Sequence, residues 1–327
     1  MAKKQSGKSL NLKNLLEKQE WMLLAFIGSV YIVTMVLSLV IRLAFAQREG
    51  EAVSSTAMIL YFVMNLIPAV TALILLFLEQ KDKKKAVSHI IWELFLAGES
   101  PWIIVITGTL FLVHFFGNAL LGNITISGNM LVSISYLPIA LFSFGLTEIG
   151  WRGYFQTRFM PELPLNLRLM VISFVILVWQ IPILSVSWAA KPTENWILLY
   201  LLLLGNTFML GTIRSMCKGV WVCILFATVM NTWNNFFSVG GKWYAILIIT
   251  VLEIVISIML QAGAFAGKFG NITLEGIRNP ELEKQRRIQK RLEKKEQKAL
   301  RARKKQRAKQ EQEEVKASVE EAEETGE

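Results

Sequence analysis

Histidine and cysteine are almost missing from this chain, with two of each in 327 residues. Cys217 and Cys223 both fall at or inside apolar runs, which argues against a disulfide framework. Their spacing fits no common zinc motif. His89 and His114 stand far apart, so no His-x-x-x-His pair exists, while a catalytic zinc ordinarily takes three protein ligands. Charge is scarce too: 18% of residues carry it, and they are clustered rather than spread as on a soluble domain. The short alternating segments of a membrane barrel are absent. No small-residue cleavage site closely follows the first apolar run, which is too long for a signal-peptide core and reads as a retained helix.

What is present is apolar. Hydrophobic residues make up 53% of the chain, with ten Trp and nineteen Phe. Runs of about 20 residues recur, the length that crosses a ~30 Å hydrocarbon core. The fold class expected is an all-α polytopic membrane protein, an eight-helix transmembrane bundle with a charged cytoplasmic tail. The eight spans fall at 22–45, 56–79, 102–121, 129–146, 168–186, 195–213, 218–236 and 243–265, with a short interfacial helix at 86–97.

The connecting charges favour an even count. Lys3, Lys4, Lys8, Lys13 and Lys18 precede span one, and Lys81, Lys83, Lys84 and Lys85 follow span two. Arg152, Arg158 and Arg168 lie between spans four and five, Arg214 and Lys218 between six and seven. The alternate links are nearly neutral, holding only Arg48, Lys191 or Lys242, with Arg42 inside the end of span one. The positive-inside rule then puts both termini in the cytoplasm. Three regions follow: a basic terminus at 1–21, a membrane domain at 22–265, and a charged tail at 266–327. Good helix formers prevail in the tail at 281–310, while 311–327 is acidic and reads as disordered. The basic block either contacts anionic lipids or simply solubilises. Without interleaved aromatics it makes a poor nucleic-acid reader.

Three stretches carry candidate chemistry. The first is Glu148-Ile-Gly-Trp-Arg-Gly-Tyr154, which sets Glu148 and Arg152 four apart on one helix face. The second is Trp179-Gln-Ile-Pro182, and the third runs from Ile224 through Ala227 to Asn231. Their order and spacing resemble the CPBP family, also called Abi or CAAX-protease-like, with lysostaphin-resistance-A-like bacterial members. The resemblance covers roughly residues 50–240. It implies an eight-helix bundle housing an intramembrane metalloprotease site of two glutamates, an arginine, two histidines and an asparagine.

Against that pattern, Glu148, Arg152 and Asn231 are kept. Thr147 stands at the first glutamate, Gln180 at the first histidine and Ala227 at the second. Threonine is no carboxylate base, glutamine is a poor zinc ligand that carries no proton, and alanine has no functional group. General-base help alone is typically worth about 10²–10⁴-fold. The resemblance therefore implies a catalytically inactive relative, with no catalytic residue, metal or cofactor expected. Zinc belongs only to the alternative of an atypical protease using Glu148. The non-catalytic relatives bind membrane partners, including cell-envelope enzymes and sensor kinases. That implies a scaffold or regulator in a bacterial plasma membrane, with lipids and a transmembrane protein as partners. Bacteriocin self-immunity is the other alternative.

Each residue also has a plainer reading. Glu148 with Arg152 is an ion pair holding the end of span four. Gln180, Asn231, Asn234 and Asn235 form an amide network between spans five and seven. His114 is a bundle-facing residue bonded across helices, and Glu253 in span eight is a protonated or internally bonded carboxyl.

Overall fold

The computed structural model describes residues 8–45, 53–79, 83–92, 94, 98–99, 101–126, 128–161, 163–188 and 193–261, with side chains from Glu20 onward except at 83, 86 and 89. They belong to the first of two compact units, Met1–Ile272; the second is Thr273–Glu327. The basic terminus before Lys8 and the charged tail beyond Gln261 lie outside the described residues, as do the side chains of His89 and of the lysines ahead of Glu20.

The elements in order are α1 Lys8–Ala44, α2 Ser55–Glu79, α3 Lys83–Ile91, α4 Pro101–Leu120, β1 Ile124–Ile126, α5 Met130–Ser135 and α6 Leu137–Ala140. Two π-helical segments follow, π1 Leu141–Gly145 and π2 Ile149–Phe155. Then come α7 Gln156–Arg158, α8 Leu165–Leu184, α9 Trp196–Met216, α10 Trp221–Phe236, β2 Phe237–Val239 and α11 Trp243–Gln261. Among the described residues, six helices are long and apolar enough to cross a membrane, as expected of an integral membrane protein: α1 from Glu20, then α2, α4, α8, α9 and α11.

The other two predicted spans take a different form. Span four is not one helix. Pro138 enters near the start of α6, where its missing N–H leaves no gap, and the chain then widens into π1 and π2. The i→i+5 pattern is explicit where Leu146 N donates to the Leu141 carbonyl at 2.8 Å. Span seven is α10, 16 residues long, so about 24 Å at 1.5 Å per residue. It ends because Phe237–Val239 leaves the helix to pair antiparallel with β1, Ile124 opposite Val239.

Helix directions follow from their bonded partners. α1 and α8 run parallel: the Tyr31 hydroxyl donates to the Val175 carbonyl, Trp179 Nε1 to Thr34 Oγ1 at 3.1 Å, and Ser38 Oγ to the Pro182 carbonyl at 2.6 Å. α9 and α11 are also parallel, since Thr250 Oγ1 donates to the Leu201 carbonyl (3.1 Å) and Gln261 Nε2 to Thr212 Oγ1 (2.7 Å). α4 runs against α11, His114 meeting Glu253 and Gly117 meeting Ile249. α8 runs against α9, Leu169 on Gly211 and Ser173 on Tyr200. The segment from Gly128 to Gly145 runs against α10, the first glycine beside Asn235 and the second beside Thr228 and Ile224.

Candidate functional site

The core of the site is π2. All seven of its residues, Ile149 to Phe155, are buried, and so is Glu148 before it. α2 sits directly on its backbone: a Cβ at Gly150 would lie 2.5 Å from the Pro68 carbonyl oxygen. A Cβ at Gly153 would meet nothing closer than 3.7 Å, so only the first of the two glycines is required by close approach. Trp151 and Phe155 pack on Phe26 from α1, with ring centroids 5.7 Å apart in each case.

Arg152 is 1% exposed, and a guanidinium there needs its donors satisfied. Nε donates to Glu148 Oε2 at 3.0 Å, Nη1 to Gln156 Oε1 at 3.2 Å, and Nη2 to Thr207 Oγ1 of α9 at 3.4 Å. Gln156 in turn donates to the Gly211 carbonyl at 3.0 Å. A second buried guanidinium, Arg214, donates from Nε to the Arg152 carbonyl at 3.3 Å and from Nη1 to the Cys217 carbonyl at 3.1 Å. The cluster thus pins π2 to α9 through side chain and backbone.

The three motif stretches are neighbours. Trp151 packs on Trp179 at 5.3 Å, which places the second stretch against π2. Gly145 sits against α10, where a Cβ would come within 2.1 Å of Thr228 Oγ1, which places the third. Thr147 is buried and its hydroxyl donates to the Phe144 carbonyl at 2.5 Å, a local bond that turns it back on its own helix. Ala227 is buried on α10, and Gln180 is half-buried on α8. Asn231 Nδ2 donates to the Ala227 carbonyl (2.8 Å) and Asn235 Nδ2 to the Asn231 carbonyl (2.9 Å), so both amides bond along α10; Asn234 is exposed.

No protein-family model matches the chain, and no curated protein matches it.

Among the described residues, no group of three or more His, Cys, Asp and Glu is placed to hold a metal ion. Glu148 Oε2 is taken up by Arg152. What the arrangement offers chemically is a charge-compensated, hydrogen-bonded joint between π2 and α9.

Residues outside the motifs complete this region. Gln156, Thr207 and Gly211 close the Arg152 network; Gln156 sits at the same four-residue spacing beyond Arg152 that Glu148 holds before it. Arg214 and Arg168 looked like loop charges in the sequence but are buried, at 0% and 3% exposure. At the end of the bundle where α2 stops, Glu79 bonds Arg158 (2.8 Å) and accepts from the Tyr154 hydroxyl (2.8 Å). At the turn after α9, Glu99 Oε1 accepts from Lys218 N and Gly219 N, each at 2.7 Å. Burial pushes the Glu99 carboxyl up, against the opposing pull of those two amides and of the Lys218 and Arg214 charges.

Proposed function

We propose that this chain is a catalytically inactive relative of the CPBP proteases. It would cross a bacterial plasma membrane eight times and act as a scaffold or regulator of a transmembrane partner. The observation that carries the reading is the state of Glu148 and Arg152. Arg152 is bonded to Glu148, to Gln156 and to Thr207, while Thr147, Gln180 and Ala227 stand where the resemblance would have a glutamate and two histidines.

Further features support parts of it. The bonded partners give alternating directions for α1, α2, α4, the 130–158 segment, α8, α9, α10 and α11, which fits eight passes and both termini on one side. Basic residues gather in the links at that side, which the positive-inside rule assigns to the cytoplasm. An apolar exterior with its ionisable groups turned inward suits a protein that meets partner helices within the bilayer. The tail would add contact with anionic lipids or with a cytoplasmic segment of the partner.

Crosslinking in intact membranes, followed by mild detergent extraction and identification of attached proteins, tests the proposal. The expected result is a recurrent transmembrane partner whose capture survives Glu148→Gln. A purified chain that cleaves a membrane peptide, and loses that activity in Glu148→Gln, would replace the proposal with the protease reading.

A further inference from the structure

The bundle holds a second buried ionisable pair, well away from π2. Glu253 lies near the middle of α11 and is 2% exposed; His114 of α4 is 9% exposed. His114 Nδ1 and Glu253 Oε1 are 2.6 Å apart. The packing admits the carboxylate: α9 presents Gly205, where a Cβ would fall 2.1 Å from Glu253 Oε2. One turn further, Gly117 lets Ile249 approach α4 just as closely. Ser257, one turn after Glu253 on the same face of α11, is fully buried and its Oγ has no hydrogen-bond partner.

Among the described residues, the helices around the pair bring no other charge to face it. On α9 the charged side chain is Arg214, engaged with the carbonyls of Arg152 and Cys217. α10 carries no charged residue, and its Cys223 bonds the Leu210 carbonyl. The other titratable groups of these helices are Tyr200, bonded to Ser173, and Tyr244, stacked on Trp243. The pair's net charge is therefore set by its own protons: −1 with none, zero with one, +1 with two. Only the one-proton state places no net charge among α4, α9 and α11, so a proton gained or lost puts a charge there that the packing of these helices must accommodate.

We propose that His114 and Glu253 form an intramembrane proton-binding site whose occupancy sets how tightly α4 packs on α9 and α11. A hydrogen-bonded chain ties the His114 backbone to the loops at the end of α4. Asn118 Nδ2 donates to the His114 carbonyl (2.8 Å), Asn123 Nδ2 to Asn118 Oδ1 (2.9 Å), and Lys242 N to Asn123 Oδ1 (3.1 Å). The site uses nothing from the Glu148–Arg152 cluster and stands whether or not the chain is a protease relative.

The scarcity of histidine makes the test direct, because His89→Gln leaves His114 as the one histidine in the chain. Full-length H89Q protein with ¹⁵N-labelled histidine, in detergent, is followed by NMR from about pH 4 to pH 9, a range covering the reference carboxylate and imidazole values. The expected result is a protonation step at His114 while the protein stays folded, with E253Q lowering its proton affinity at least tenfold. An imidazole that keeps one form throughout, or a step that E253Q leaves in place, overturns the proposal. If E253Q does not accumulate, the melting temperature of wild type against pH is compared with that of H114Q/E253Q. A maximum in wild type that the double variant lacks supports the site, and profiles of the same shape refute it.

Discussion

Arg152→Ala is the sharpest perturbation of the joint between π2 and α9. It removes the donors to Glu148 Oε2, Gln156 Oε1 and Thr207 Oγ1 together. Glu148 is 7% exposed, so its carboxylate would be left without its counter-charge. Breaking a buried pair from one side costs about 3–5 kcal/mol, where an exposed pair would cost less than about 1. At roughly 2–4 °C per kcal/mol, the melting temperature should fall by roughly 6–20 °C. The assay is thermal unfolding of the purified chain in mild detergent, with membrane yield measured alongside. A cycle with Glu148→Ala separates pairing from packing. Once Glu148 is gone, removing Arg152 should cost markedly less than in wild type, a coupling above about 1 kcal/mol. Replacing both residues by methionine should come close to restoring stability, because an apolar pair of similar volume needs no compensation. A cost for Arg152→Ala below about 1 kcal/mol, or strict additivity with Glu148→Ala, would refute the reasoning.

Thr147→Ala should leave stability within about 1 kcal/mol and partner capture unchanged, since its hydroxyl bonds only a neighbouring carbonyl; loss of capture at normal protein levels would mean the position is in use. Gly150→Ala should destabilise by about 1–3 kcal/mol, because its new Cβ meets the Pro68 backbone. Gly153→Ala, whose Cβ would meet only ordinary van der Waals contacts, should be neutral or slightly stabilising; paired melting curves of the two variants check this contrast. Arg158→Ala should cost about 1 kcal/mol, because the Glu79–Arg158 pair is partly exposed. A cost as large as that of Arg152→Ala, read in the same melts, would contradict the difference in burial.

The long apolar helices were legible because about 20 apolar residues in a row have few other uses. The 129–146 stretch reads as one span because its composition is as apolar as the others; no local pattern encodes the close packing of α10 at Gly145 and of α2 at Gly150. The Glu148–Arg152 pair could be read from its four-residue spacing. Gln156 could have been found by the same rule, whereas Thr207 and Arg214 become neighbours only when α9 folds against π2. The inward setting of His114 and of Glu253 was expected for each residue separately. That they bond each other across 139 positions was not, since nothing in either helix names its partner.

The α1–α8 contact has a consequence in time. Ser38 and Pro182 lie 144 residues apart. At about 5–20 residues per second, synthesis takes roughly 7–29 s to cover that interval. Until α8 emerges, Thr34, Ser38 and Tyr31 sit on a newly inserted helix without the partners that later satisfy them. The first helix therefore waits in the membrane with these three hydroxyls still unmatched by α8, able to bond only within their own helix or to a transient neighbour. A nascent chain stalled before residue 175 would hold α1 in that waiting state, where its neighbours could be captured.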